Sequence, residues 1–127
     1  MRFDLHPIFY PRSMAIVGVS TSNMFNPGTV IFRKNLQIKG YFSDKVYGVN
    51  PKGGQLEGRK LHESLLDIPT KIDLAVLSIR AEYTEKAFQD AIDIGIKGAI
   101  IISGGFSEAG KEGNEMQERI KELAIDN

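Results

Sequence analysis

Four apolar stretches stand out along the chain. Residues 14–19, 72–79 and 98–102 are rich in β-branched side chains and almost continuously apolar, while residues 45–49 are shorter and more mixed. Continuous rather than alternating hydrophobicity is typical of parallel strands that helices cover on both faces. The pattern therefore predicts four buried parallel strands.

Helical periodicity follows three of these strands. It runs over residues 27–40, 84–94 and 111–126, and Gly95 favours a left-handed stop directly after the second helix. The residues expected to face inward are Val30, Ile31 and Leu36, then Ala87, Phe88, Ala91 and Ile92, and last Met116, Ile120, Leu123 and Ala124.

The order of elements is β-α-β-loop-β-α-β-α. Such alternation predicts an α/β fold, namely a Rossmann-like parallel sheet with helices on both faces. At 127 residues the chain fits a single domain, which we expect to span residues 1–127. The pattern stops on a helix where a doubly wound domain usually returns with a strand, so we expect a chain shortened before its last strand.

Composition narrows the classes of ligand. The 16 basic and 16 acidic side chains cancel, which argues against bulk attraction to nucleic acid or to an anionic membrane. Without cysteine there is neither a disulfide nor a thiolate metal site. We see no signal peptide and no apolar run of membrane-spanning length, and we expect a cytoplasmic location.

Ligands of open parallel sheets bind beyond the carboxyl ends of the strands, so the loops there form the candidate site. The loop after the first strand contains Gly18, Ser20, Thr21, Ser22 and Asn23. Small residues let a ligand approach the backbone, and hydroxyls beside a helix N-terminus can hold phosphate. The same residues also suit helix capping, and the three-glycine dinucleotide fingerprint is absent, so both interpretations stay open.

The second loop contains Asn50, Pro51 and Lys52. An NAD-binding domain usually places a carboxylate here to bind the ribose hydroxyls. A lysine instead favours a ribose that bears a phosphate, as in coenzyme A or NADP. Because Pro-Lys-Gly-Gly is also good turn chemistry, a solvated turn lysine is the alternative.

The third and fourth loops offer weaker signals. Ile79 could line an adenine slot, and Arg80 could meet phosphate or remain solvated. Ser103, Gly104 and Gly105 follow the last strand, where paired glycines either admit a thin substrate arm or form a tight turn.

The sequence offers no catalytic constellation. His6 and His62 lie in an extended stretch and a loop, without the partners of a metal site or a nucleophile–base pair. Glu108 suits the positive end of the last helix better than acid–base chemistry. We therefore predict that the chain alone catalyses no reaction.

Four segments in order carry a family resemblance: residues 8–20, 46–52, 64–76 and 95–110. With these segments the chain resembles the coenzyme A-binding, Rossmann-like domain of the ADP-forming (NDP-forming) acyl-CoA synthetases, a family related to the succinyl-CoA synthetase alpha subunit. The resemblance implies that the loop of residues 20–23 meets the phosphate-bearing end of coenzyme A. It implies that residues 50–52 hold the nucleotide, with Lys52 on phosphate, and that Ile102, Ser103 and Gly104 lie along the pantetheine arm.

The same resemblance implies partners. A phosphohistidine domain and an ATP-grasp domain, in the same enzyme or in its other subunit, would carry out thioester chemistry on coenzyme A or acyl-CoA. The segment 79–81 departs from the family's Val-Pro-Ala. The alternatives are an NADP-binding oxidoreductase domain and a stand-alone coenzyme A or nucleotide sensor, including the regulatory region of a protein lysine acetyltransferase. The sequence leaves a homo-oligomer open.

Overall fold

A computed structural model describes residues 11–37 and 45–102 of the chain. These residues contain six strands, two α-helices and a short 3-10 helix at Leu65–Asp67. In chain order the elements are β1 Met14–Val17, α1 Pro27–Leu36, β2 Val46–Val49, β3 Gln55–Leu56, β4 Arg59–His62, β5 Leu74–Leu77, α2 Ala81–Asp93 and β6 Gly98–Ile101.

The strands form one sheet in the order β3-β4-β2-β1-β5-β6. The pairs β1–β2, β1–β5, β2–β4 and β5–β6 are all parallel, and only the pair β3–β4 is antiparallel. The connection through α1 runs from β1 toward one edge, and the connection through α2 runs toward the other. The predicted α/β class, a Rossmann-like sheet with helices on both faces, is confirmed.

The two faces of the sheet are covered by different helices. On one face, the ring of Phe32 from α1 is fully buried against a cluster that includes Ile16 and Val76. On the other face, Ala87 and Ala91 of α2 pack against a cluster built on alternate strand positions such as Val17. Since successive strand residues point to opposite faces, a nearly continuous apolar strand supplies both clusters.

The predicted inward residues of the helices are partly right. Ile31 and Leu36 pack at the margin of the α1 cluster, but the residue at its centre is Phe32, which the prediction omitted. On α2, Ala87, Ala91 and Phe88 belong to the other cluster as predicted. Alanines on this face let the helix approach the sheet closely.

The strands and helices begin or end a few residues away from the predicted positions. The strands are shorter than the apolar runs, because the terminal residues of each run already belong to the loops at the sheet edge. Helix α2 begins at Ala81 rather than at residue 84, and its predicted stop at Gly95 is confirmed by a φ of +76°. Helix α1 ends at Leu36, ahead of the predicted residue 40. The predicted helix 111–126 lies outside the described residues.

The segment after β2, predicted as a loop, contains the hairpin of β3 and β4. Glu57 and Gly58 connect the two strands with φ values of +55° and +74°, as a tight hairpin turn requires. Leu61 of β4 is buried, and β4 extends the parallel sheet beside β2. His62, expected in a loop, therefore lies on a strand. The prediction failed because β4 contains charged residues and β3 has only two residues, so neither strand forms a recognisable apolar run.

Candidate functional site

Three of the four predicted loops meet at the carboxyl edge of the parallel strands. The N–H groups of Gly18 and Val19 both donate to the carbonyl of Val49, at 3.1 and 3.3 Å, which ties the first loop to the end of β2. The N–H of Ser78 donates to the carbonyl of Val17 at 2.8 Å and ties the third loop to β1. Hydrogen bonds to the neighbouring central strands thus fix where the first and third loops begin.

Two glycines let helix α1 begin close to the sheet edge. Gly18 has a φ of +104°, and a Cβ there would overlap the carbonyl oxygen of Ser78. A Cβ at Gly28 would lie 2.6 Å from the carbonyl oxygen of Gly18. The predicted site residues include Gly18 but not Gly28, whose signal was the Pro-Gly pair at the helix start. The backbone of the first loop therefore packs directly against the first turn of α1.

Hydrogen bonds within the first loop hold its shape. Ser20 Oγ accepts from the N–H groups of Ser22 and Asn23, at 3.2 and 3.0 Å. The N–H of Ser20 donates to Thr29 Oγ1 at 2.7 Å, and this hydroxyl donates back to the carbonyl of Ser20 at 3.1 Å. The cap of α1 is Asn26, whose Oδ1 accepts from the N–H of Thr29. The predicted site residues Ser20 and Asn23 thus order the loop, and neither is the helix cap.

Asn50 connects the second loop to the first. Its Nδ2 donates to the carbonyl of Val19 at 2.8 Å, and its Oδ1 accepts from the N–H of Lys52 at 2.8 Å. The carbonyl of Asn50 also accepts from the N–H of Gly53 at 2.8 Å. One side chain therefore fixes both the distance between the two loops and the turn that carries Lys52.

Lys52 and Thr21 are exposed at the edge of the site. A Cβ at Gly54 would lie 3.6 Å from Thr21 Cγ2, so the tip of the first loop lies close to the second loop beyond Lys52. Within residues 11–37 and 45–102, Lys52 forms no ion pair. Its ammonium group can therefore pair with an anion without first breaking an ion pair among those residues.

The third loop places one apolar and one basic residue at the edge. Ile79 is half-buried and packs against the α2-side cluster. Arg80 occupies the N-cap position of α2, where its side chain makes no capping hydrogen bond. Its guanidinium lies 3.8 Å from the carboxylate of Glu82, and both groups are largely exposed.

Ile79 and Pro51 border an apolar cavity of about 410 Å³ between the sheet edge, the 3-10 helix and α2. Its lining is Val17, Val49, Pro51, Glu63, Ser64, Leu65, Ile79, Tyr83, Lys86, Ala87 and Asp90. A mainly apolar cleft with a few polar groups is typical of small-molecule sites. Of these residues sequence reasoning named only Pro51 and Ile79 as site residues. The spacing of Tyr83, Ala87 and Asp90 on α2 was the available signal for the rest.

The remaining predicted site residues lie at residue 102, the last one that the structure describes, or after it. The N–H of Ile102 donates to the carbonyl of Leu77 at 2.9 Å, so Ile102 starts the fourth loop at the same sheet edge. Ser103, Gly104 and Gly105 lie outside the described residues, as do His6 and Glu108. Whether the fourth loop meets the other three therefore stays a prediction.

His62 stacks at a tilt against Tyr47, with ring centroids 5.9 Å apart. In the described ranges no group of three His, Asp or Glu side chains could hold a metal ion. None of the helices described in those ranges is long and apolar enough to cross a membrane.

The fold and this edge together define a class of protein: a Rossmann-like α/β domain with an apolar cavity at the carboxyl ends of β1, β2 and β5. The chain belongs to the CoA binding domain family, whose model matches residues 12–126. The resemblance to the ADP-forming acyl-CoA synthetases is likewise confirmed by the proteins to which the chain is similar.

Among curated proteins, the chain is 39% identical over 121 residues to the ADP-forming acetate–CoA ligase II of Archaeoglobus fulgidus. It is 36% identical over 127 residues to the alpha subunit of the ADP-forming acetate–CoA ligase I of Pyrococcus furiosus. These matches cover 95% of this chain but only 18% and 26% of the relatives. The chain therefore spans about a fifth to a quarter of their length.

Solved structures of similar fold support the same family assignment. A crystal structure from Pyrococcus horikoshii OT3 matches with a TM-score of 0.84 and 32% identity, covering 97% of this chain and 27% of that one. The dinucleotide-forming acetyl-coenzyme A synthetase 1 of Ca. Korarchaeum cryptofilum matches with a TM-score of 0.75 and 32% identity, over 94% of this chain and 25% of that one. A conserved hypothetical protein of Pyrococcus furiosus matches with a TM-score of 0.64 and 28% identity, over 87% of this chain and 88% of its own.

Proposed function

We propose that this chain holds coenzyme A, or an acyl-CoA, as the binding platform of an ADP-forming acyl-CoA synthetase. The observation that carries the proposal is the junction at Asn50, which joins the first two loops and orients the turn of Lys52 beside an apolar cavity. Coenzyme A needs this combination, because its adenine is apolar on both faces while the 3′-phosphate on its ribose and its diphosphate are anionic.

In this proposal the nucleotide end lies across the second and third loops. The adenine enters the apolar cavity between Pro51 and Ile79, and Lys52 pairs with the 3′-phosphate of the ribose. The diphosphate lies against Ser20, Thr21, Ser22 and Asn23, next to the first turn of α1, where a helix dipole favours negative charge. The pantetheine arm then runs along residues 102–105 toward a neighbouring domain.

Coenzyme A serves as a substrate here rather than as a resident cofactor. Thioester formation needs a phosphohistidine and an ATP-grasp module, which we assign to other parts of a longer enzyme. Support comes from the relatives, which are ADP-forming CoA ligases several times the length of this chain. We keep the cytoplasmic location and self-association as predictions.

A second candidate is a stand-alone coenzyme A-binding protein. One observation favours it: two structural neighbours are short chains, of which the match covers 88% and 75%. A domain of this fold and size therefore exists as a protein of its own. NADP is a third candidate ligand, because it also carries a phosphate on the adenosine ribose.

Isothermal titration calorimetry with four ligands tests the proposal. We expect coenzyme A to bind more tightly than dephospho-coenzyme A, and both to bind more tightly than NADP or NAD. The comparison with dephospho-coenzyme A isolates the 3′-phosphate, and the comparison with NADP isolates the pantetheine arm. Preference for NADP over coenzyme A would refute the proposal in favour of an oxidoreductase domain.

A further inference from the structure

The apolar cavity has one buried charge in its wall. Asp90 is only 8% exposed and is the one buried charged residue of the described part of the chain. Its Oδ1 accepts from the Nζ of Lys86, one turn earlier on α2, whose side chain is 76% exposed. The carboxylate therefore lies in the cavity wall, paired with a lysine that also borders the cavity but is mostly exposed to solvent.

A buried ionised carboxylate at this position lowers the stability of the fold unless its partner offsets the desolvation cost. Burying it costs desolvation, and an ion pair with a largely exposed lysine returns little of that cost. The neighbouring positions on the same face of the helix, Ala87 and Ala91, are small and apolar. A polar group in an otherwise apolar cleft typically fixes the orientation of a ligand. The position of Asp90 thus indicates a ligand with a hydrogen-bond donor at this wall.

We propose that Asp90 recognises the exocyclic amino group of the bound adenine and selects adenine over a 6-oxo purine. This inference rests on the proposed function, because it assumes that the nucleobase occupies the cavity between Pro51 and Ile79. A carboxylate only accepts hydrogen bonds. Adenine presents an amino group at C6, whereas hypoxanthine presents a carbonyl oxygen there, which a carboxylate repels.

Glu63 is the competing acceptor in the same cavity. It is exposed, and its Oε1 lies 3.6 Å from the position that a Cβ on Gly53 would take, next to the Lys52 turn. An exposed carboxylate discriminates weakly because water replaces the lost hydrogen bond at little cost. Asp90 lies on α2 and is shielded from solvent, so the same lost bond costs more there.

The test uses two probes whose bases differ at purine position 6 and in the proton that the 6-oxo form carries on N1: adenosine 3′,5′-bisphosphate and inosine 3′,5′-bisphosphate. Titrated calorimetrically into the 127-residue chain, the adenine form should bind about tenfold more tightly, as expected for a lost hydrogen bond to a charged group. Asp90→Asn should reduce this ratio to about threefold or less, because an amide both accepts and donates.

Asp93→Asn is the matched control. Asp93 lies one turn further on α2, is exposed, and accepts from Gln89 at 2.9 Å outside the cavity. It should keep the wild-type ratio. Thermal melts of both variants check that they fold.

Equal binding of the two bisphosphates by the wild-type chain overturns the proposal without any variant. The proposal can therefore be refuted even if Asp90→Asn does not fold. An unchanged ratio in a folded Asp90→Asn variant overturns it as well, and so does loss of the ratio in Glu63→Gln. In each of these outcomes coenzyme A still binds and the proposed function stands. No binding of coenzyme A at all refutes both.

Discussion

Replacing Asn50 by alanine should weaken both the fold and the binding of coenzyme A. The side chain makes two hydrogen bonds of 2.8 Å, one to the carbonyl of Val19 and one from the N–H of Lys52. No other side-chain hydrogen bond between the first and second loops appears among the described residues. Asn50→Ala therefore removes the side-chain link between the loops and one of the two hydrogen bonds that shape the turn of Lys52.

The magnitude follows from these two bonds. The bond to Val19 is part-buried and the bond from Lys52 is exposed, and a typical hydrogen bond contributes about 0.5–1.5 kcal/mol. The free energy of unfolding should therefore fall by about 1–3 kcal/mol. For a domain of this size that corresponds to a decrease of roughly 4–12 °C in melting temperature. The affinity for coenzyme A should fall by about tenfold, because the lysine must then be ordered on binding.

Chemical denaturation and calorimetric titration measure the two effects separately. Asn35→Ala is the matched control, because Asn35 Nδ2 also donates to a carbonyl at 2.8 Å, that of Ile31, but within α1. Alanine is a better helix former than asparagine, so this variant should keep its stability within about 0.5 kcal/mol. Its affinity should not change. If Asn50→Ala matches this control in both measurements, Asn50 does not hold the site together.

Three further substitutions test other parts of the structure. Lys52→Ala should weaken coenzyme A binding by about 1.5–3 kcal/mol in titration, as for a lost charge-assisted hydrogen bond, whereas the exposed Lys71→Ala should have no effect. If the effect of Lys52→Ala is the same for dephospho-coenzyme A, the lysine does not contact the 3′-phosphate. Gly18→Ala should cost about 3–5 kcal/mol in urea unfolding because it combines overlap with Ser78 and a positive φ. Gly58→Ala, with a positive φ but nothing within 4 Å, should cost only about 1–2 kcal/mol, and equal costs would contradict the packing argument. Phe32→Ala should cost about 3–5 kcal/mol in the same assay as a core cavity, and a loss below about 1 kcal/mol would contradict its central place in the α1 cluster.

The buried strands were predictable because helices cover both faces of the sheet. Every position of β1, from Met14 to Val17, is buried, so the run is apolar without interruption. The hairpin was not predictable in the same way. Its strand β4 buries only Leu61 among charged neighbours, and its partner β3 has two residues. Short edge strands depend on pairing with an existing sheet, which the local sequence does not encode.

The candidate site was predictable to a similar extent. Strand order fixes which loops share an edge, and so Ser20, Asn50 and Ile79 could be named from the sequence. The wall of the cavity could not, because it depends on which side of α2 faces the 3-10 helix. Asp90 looks like any surface acid of an amphipathic helix until the packing of Leu65 beside α2 is known.

Among residues 11–37 and 45–102, the two-residue strand β3 forms one edge of the sheet and limits how the sheet can grow there. A further strand added beside it would find a ladder of only Gln55 and Leu56, followed at once by a turn with left-handed φ angles. Charged residues and very short strands at an edge discourage pairing with another chain. We therefore expect this side of the domain to resist domain swapping and fibril formation, so that any self-association uses a different surface.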